Sequence, residues 1–171
     1  MEWIPIRNLS KRPTPACYTR GADPTLPKYF TLLEAESLLP EVAQLLRSCV
    51  QAKQDYDQAD DELRGVATRI TLAGGMVIVR ERVAEVRNRK DSAAHTIKSA
   101  LEKIEQIGCH LKDLGQGLVD FPTLYRDQEV YLCWKLGEPG ISFWHHVEDG
   151  FNGRQPVDAE FIAHHRGNPV S

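Results

Sequence analysis

The chain predicts an α+β fold that is mostly α: a long antiparallel helical hairpin, coiled-coil-like, followed by a small C-terminal antiparallel β-hairpin or three-stranded sheet. Three observations predict it. Apolar residues recur at alternating steps of three and four along two long stretches. A glycine pair, Gly74 and Gly75, stands between those stretches as a natural helix stop. Beyond residue 117 the apolar period drops to two, the period of a strand.

Residues 1–28 carry Pro5, Pro13, Pro15, Pro24 and Pro27 and show no periodicity. They read as an extended or disordered arm that Trp3 and Ile4 can tack to a body or a partner. Thr31 and Glu34 have the spacing of a capping box, so a helix starts near Leu32 with Phe30 as an apolar staple. Pro40 lacks an N–H and clashes one turn back, which predicts a kink or break over residues 36–39. The first seam runs through Val42, Leu45, Cys49, Ala52, Tyr56, Ala59, Leu63, Val66 and Ile70. The second runs through Val79, Val83, Val86, Lys90, Ala93, Ile97, Ala100, Ile104, Ile107 and Leu111, with Lys90 its one polar exception. Two seams joined by a short glycine loop imply an antiparallel hairpin over residues 29–116, ended by Gly108 or Gly115.

The motif region, residues 117–157, is expected to pack on the helix ends. Val130, Leu132, Trp134 and Leu136 alternate with polar or smaller residues, and Ile141, Phe143 and His145 do the same. Pro139-Gly140 suits the centre of a type II turn. That turn pairs Glu138 with Ile141, Trp134 with His145 and Cys133 with His146. Residues 118–121 offer a third strand. Residues 158–171 are polar and read as a loose tail.

A length of 171 residues suits one domain with tails, and 42% apolar residues can supply its core. The net charge of −3 argues against a general binder of nucleic acid or anionic membrane. Cys17, Cys49, Cys109 and Cys133 form no CxxC pair, as expected of free thiols in a reducing cytoplasm. No apolar run approaches the roughly 20 residues of a membrane span, and the N-terminus has no secretory apolar core.

Reactive side chains concentrate in residues 117–157. His145, on the apolar alternation, is either a metal ligand or acid/base group, or a core histidine held by a carboxylate or carbonyl. Cys133 with His146 is either half a zinc site or an activated thiol, or a small buried cysteine beside an exposed histidine. Arg154, in the loop that carries Gly150 and Gly153, is either an anion clamp or the partner of Asp120 or Glu138 in an internal salt bridge. Trp134 and Trp144 fall on opposite alternation sets, so one is expected in the core and the other at a pocket or interface. The basic group Arg80, Arg82, Arg87, Arg89 and Lys90 is diluted by Glu81, Glu85 and Asp91 and reads as a solvated, ion-paired face. There is no P-loop, GxGxxG, GxSxG or HExxH motif.

The stretches GLVDFP, VYLCWKLGEP and FWHHVEDGFNGRQPV, with FTLLEAESLLP, resemble a bacterial family known only as a domain of unknown function (the family numbered 2203), over about residues 29–157. The resemblance implies a small cytosolic protein with a helical hairpin and a C-terminal motif region. It implies no activity. The motif positions it marks here are Asp120, Cys133, Trp134, Gly137, Glu138, Trp144, His145, Gly150, Gly153 and Arg154.

Two functions compete. In the first, the helical hairpin self-associates as a homodimer or binds a protein partner, because two helices alone bury little. In the second, the chain binds a metal, a zinc or iron ion, or a small anion. His145, Cys133 and His146 are then the metal candidates, and Asp120, Glu138, Trp144 and Arg154 the ligand-binding ones. Whether that site is an enzyme's is left open. A third reading, an RNA-binding coiled-coil arm, rests on the basic group alone.

Overall fold

The computed structural model describes residues 28–72 and 80–167. The proline-rich arm, the glycine pair at 74–75 and Val79 lie outside the described residues. Helix α1 is Leu32–Leu72 and helix α2 is Arg80–Ile107, packed along each other as the two seams predict. A six-stranded antiparallel sheet follows: β1 His110–Asp113, β2 Leu118–Tyr125, β3 Gln128–Lys135, β4 Phe143–His146, β5 Gln155–Pro156 and β6 His165–Arg166. A short helix α3, Ala159–His164, leads into β6. The fold is α+β and mostly helical.

The capping box forms: the Thr31 N–H donates to Glu34 Oε2 at 2.7 Å and the Glu34 N–H to Thr31 Oγ1 at 3.2 Å. Phe30 is buried edge-on against Phe121 of β2, 5.5 Å between ring centres. Of the kink or break expected at residues 36–39, the break does not occur, because α1 continues through Pro40. Pro40 and Glu36 are both exposed, so water can serve the Glu36 carbonyl that Pro40 cannot reach. Lys90, the exception in the second seam, donates to Asp60 Oδ1 at 2.6 Å and lies over the Tyr56 ring.

Gly108 (φ 97°) ends α2 in the left-handed conformation that glycine tolerates. The hairpin therefore stops short of residue 116, and Leu111, expected on the helical seam, belongs to β1. The sheet continues in the order β1-β2-β3-β4-β5, with β6 also on β2. Its inner face, Val119, Phe121, Val130, Leu132, Trp134 and Trp144, joins Ala35, Leu39, Val42, Leu46 and Ile104 in one core. Residues 158–167 of the tail expected to be loose are tied down: Phe161 of α3 lies in that core, and β6 pairs with Leu124 and Tyr125; the rest of the tail lies outside the described residues.

The β3–β4 register differs from the expected one. Cys133 pairs with Phe143, Leu132 with Trp144, Tyr131 with His145 and Val130 with His146. The tight turn falls earlier than Pro139-Gly140. The Glu138 N–H donates to the Lys135 carbonyl at 3.0 Å, and Gly137 has φ 102°. The turn is thus Lys135-Leu136-Gly137-Glu138, with glycine where positive φ is needed. The Glu138 carboxylate accepts the Lys135 N–H at 2.8 Å and fixes that turn.

Candidate metal centre

Strand β2 is buried almost throughout because both faces of the sheet are covered. Val119 and Phe121 point to the helices, so Asp120 and Pro122 occupy the opposite face. The register sets Asp120 beside Cys133 and Cys133 beside Phe143 in one row. Pro122, Tyr131 and His145 form the next row on the same face. His145 therefore meets Asp120 and Cys133 diagonally. Asp120 and His145 are each 1% exposed and Cys133 is fully buried. One carboxylate oxygen, one ring nitrogen and the sulfur lie within 4.8 Å of one another.

The histidine geometry decides what the cluster can do. His145 Nδ1 is 2.8 Å from the His146 carbonyl, which only accepts, so Nδ1 carries the hydrogen. His145 Nε2 is then the lone-pair nitrogen of the neutral ring, and it faces Asp120 Oδ2 at 3.1 Å. Two acceptors at that distance need a proton or a metal ion between them. The other oxygen, Asp120 Oδ1, is buried without a hydrogen-bond partner. Burial opposes charge on His145, but the Asp120 carboxylate and the His146 carbonyl outweigh it and hold its pKa above the usual value.

Burial and the neighbouring Asp120 charge push the Cys133 thiol up to about 12. Both imidazole nitrogens are already engaged, so no imidazole is free to take the thiol proton; the thiol's neighbour is the Asp120 carboxylate, which holds the proton on sulfur, and the activated-thiol arrangement does not form. The same three groups suit a metal. Bond lengths of about 2.0–2.3 Å imply ligand–ligand edges of about 3.3–3.8 Å in a tetrahedral zinc site. The His145–Asp120 separation is already close to that edge. A ligating histidine whose other N–H is held by a backbone carbonyl is a common outer-shell arrangement.

Arg154 closes one side. Its Nε–H donates to Cys133 Sγ at 3.3 Å, and Nη1 and Nη2 donate to Glu138 Oε1 and Oε2 at 2.8 and 3.3 Å. The guanidinium also lies over the Phe143 and Phe151 rings. Burial works against the Glu138 charge, but Arg154 and the Lys135 N–H outweigh it and lower its pKa. This is the internal salt bridge weighed in the sequence, now with a sulfur contact added.

Two expectations are corrected by the register. His146 pairs across from Val130 on the face away from Cys133 and packs on Trp144, 5.1 Å between ring centres. Trp134 and Trp144 share the inner face, both in the core. Their Nε1–H groups donate to the Glu138 and Pro156 carbonyls at 3.1 and 3.2 Å. The structure therefore brings together Asp120, Cys133, His145, Arg154 and Glu138, and leaves Trp144 and His146 elsewhere.

Sequence reasoning missed Lys112, Tyr131 and His110. Lys112 Nζ is 3.7 Å from Asp120 Oδ2 and 4.6 Å from the Tyr131 ring centre. Tyr131 stands edge-on to both His145 and His110, and His110 pairs with Asp120 across β1 and β2. Only recognition of β1 as a strand reveals these neighbours, and its four residues HLKD carry almost no alternation.

The chain belongs to the family described as uncharacterized conserved protein (DUF2203), which matches residues 28–157. No curated protein and no solved structure matches the chain.

Proposed function

We propose that this member of an uncharacterized family is a metal-binding protein in which Asp120, Cys133 and His145 hold a divalent transition-metal ion. One observation carries the reading: a histidine nitrogen, a carboxylate oxygen and a cysteine sulfur, all from buried residues, lie within 4.8 Å of one another, and the second carboxylate oxygen is buried without a nitrogen or oxygen donor. A cation satisfies these groups at once. The mixed nitrogen, oxygen and sulfur donor set favours zinc over iron. Binding converts the Cys133 thiol to a ligating thiolate and expels the proton between His145 and Asp120, so it releases protons. Three protein ligands leave one coordination position open, which is the arrangement of zinc sites that bind or activate a small ligand.

The test is elemental analysis of untagged protein purified without chelator, with zinc titration against a chromophoric chelator. Wild type is expected to carry stoichiometric metal, and Asp120→Asn and His145→Ala to lose it. A metal-free wild type whose melting temperature ignores added zinc and iron sinks the reading.

A second reading, self-association through the hairpin, has its own support. Beyond Ala59 no described residue of α1 is fully buried, and Leu63, Val66, Ile70 and Val83 line a groove only half covered. Leu72 is 83% exposed. A second hairpin laid on this groove completes a four-helix arrangement as a homodimer. Sedimentation equilibrium of wild type and Val66→Glu tests it; a monomeric wild type at high micromolar concentration excludes it. The setting proposed is a bacterial cytoplasm. Cys49, Cys109 and Cys133 are free, in keeping with a reducing compartment, and no described helix is long and apolar enough to cross a membrane.

A further inference from the structure

We infer that the open position of this metal centre takes a small oxyanion of the carboxylate class, anchored by Lys112. The inference rests on the metal-binding reading above and names its ligand. Charge balance leads to it. A divalent ion is neutralised by the Asp120 carboxylate and the Cys133 thiolate. Arg154 is neutralised by the two-pronged pair with Glu138. Among the described residues Lys112 is left over, because Asp120, its ion-pair partner at 3.7 Å, is then committed to the metal. The loaded cluster thus carries one uncompensated positive charge beside a coordination position that no cluster residue fills. A monovalent oxyanion supplies both the ligand atom and the balancing charge.

The geometry also sets the side of approach. Arg154 occupies the sulfur side, its Nε–H on Cys133 Sγ and its guanidinium over the Phe143 and Phe151 rings. On the β1 side, the Lys112 side chain is 40% exposed and reaches from solvent to a carboxylate that is 1% exposed. Its ammonium rests over the Tyr131 ring, which keeps it near the cluster when Asp120 turns to the metal. An ammonium is a compact point charge that a single carboxylate oxygen can meet.

Cobalt(II) reports both steps. In place of zinc it gives visible absorption bands whose position and intensity follow coordination number and ligand identity. The full chain is loaded with cobalt(II) and titrated with sodium acetate, then with sodium phosphate, at constant ionic strength held with chloride. The expected result is a saturable spectral shift with acetate, weakened about tenfold or more in Lys112→Met, the size of one charge-assisted hydrogen bond, and largely retained in Lys112→Arg. Far-ultraviolet circular dichroism establishes that each variant is folded. Failure of wild type to bind cobalt overturns the metal-binding reading itself. Cobalt bands that ignore acetate overturn this inference alone. An equal shift in Lys112→Met removes Lys112 as the anchor, and an equal response to chloride removes the oxyanion preference; either overturns it too. A stronger response to phosphate than to acetate overturns the carboxylate class.

Discussion

Arg154 shows how one side chain can serve structure and site together. Its fork closes on both Glu138 oxygens while its Nε–H reaches Cys133. A lysine at 154 keeps the charge but has one nitrogen, so it cannot span the carboxylate and the sulfur. Arg154→Lys is expected to cost roughly 1.5–3 kcal/mol, the range for hydrogen bonds to charged groups, read by urea denaturation. An unchanged midpoint would mean that the clamp contributes nothing. The thiols give a second residue-scale prediction. Burial raises Cys49, and pushes both Cys109 and Cys133 up to about 12. With so little thiolate, all three should resist iodoacetamide at neutral pH in the native protein and react in urea. Peptide mapping after labelling checks it; rapid native labelling of Cys133 would contradict its buried setting. Asp120 was legible as a motif residue, but not its orphaned oxygen, because that depends on which residue lies across the next strand.

At the scale of elements, the helices were legible because their rules are local. The capping box and the α1 start follow from four consecutive residues, and the seams from spacing alone. Glu34 carries a pH prediction. Its hydrogen bonds to Thr31, from the backbone first and the side chain second, lower its pKa below 4.5. A lowered carboxyl stabilises the cap fully above the unfolded value and loses that contribution as pH falls through the folded one. The first turn of α1 should therefore exchange its amides faster in acid, after correction for intrinsic rates, and Glu34→Gln should abolish the pH dependence. Pro40 makes a different point. The propensity rule called for a kink or a break, and the surface position lets α1 continue at a cost. Pro40→Ala restores the missing N–H and is expected to stabilise by about 1–3 kcal/mol in urea denaturation; a loss of stability would mean that the ring itself packs usefully. The strands were legible as strands, but their register was not. Two turn sequences, Leu136-Gly137 and Pro139-Gly140, compete within six residues, and Glu138 decides between them through the local Trp134 and Lys135 and the distant Arg154. That choice moved His145 into the company of Cys133 and took His146 out of it.

The whole molecule is uneven along its length. The core gathers where the sheet meets the first half of α1 and the last part of α2, through Leu39, Val42, Leu46 and Ile104. Toward the far end of the hairpin the seam thins to Ala59 and Val86, held from outside by the Asp60–Lys90 and Glu62–Arg89 pairs. Exposed or half-exposed ion pairs of this kind contribute about 0–1 kcal/mol each, far less than buried leucines and phenylalanines. Local opening should therefore be graded. Amides of residues 60–72 and 80–89 are expected to exchange much faster than those of β2, β3 and residues 39–46, as in a low-stability unit beside a high-stability one. The gradient also separates a lone hairpin from a paired one. In a monomer, exchange at the far end is independent of protein concentration. In a homodimer that covers Leu63, Val66, Ile70 and Val83, protection there rises with concentration while that of the sheet stays fixed. Hydrogen exchange with mass spectrometry at two concentrations, about a hundredfold apart, reads both outcomes at once. Uniform protection along the hairpin at the lower concentration would contradict the graded core itself.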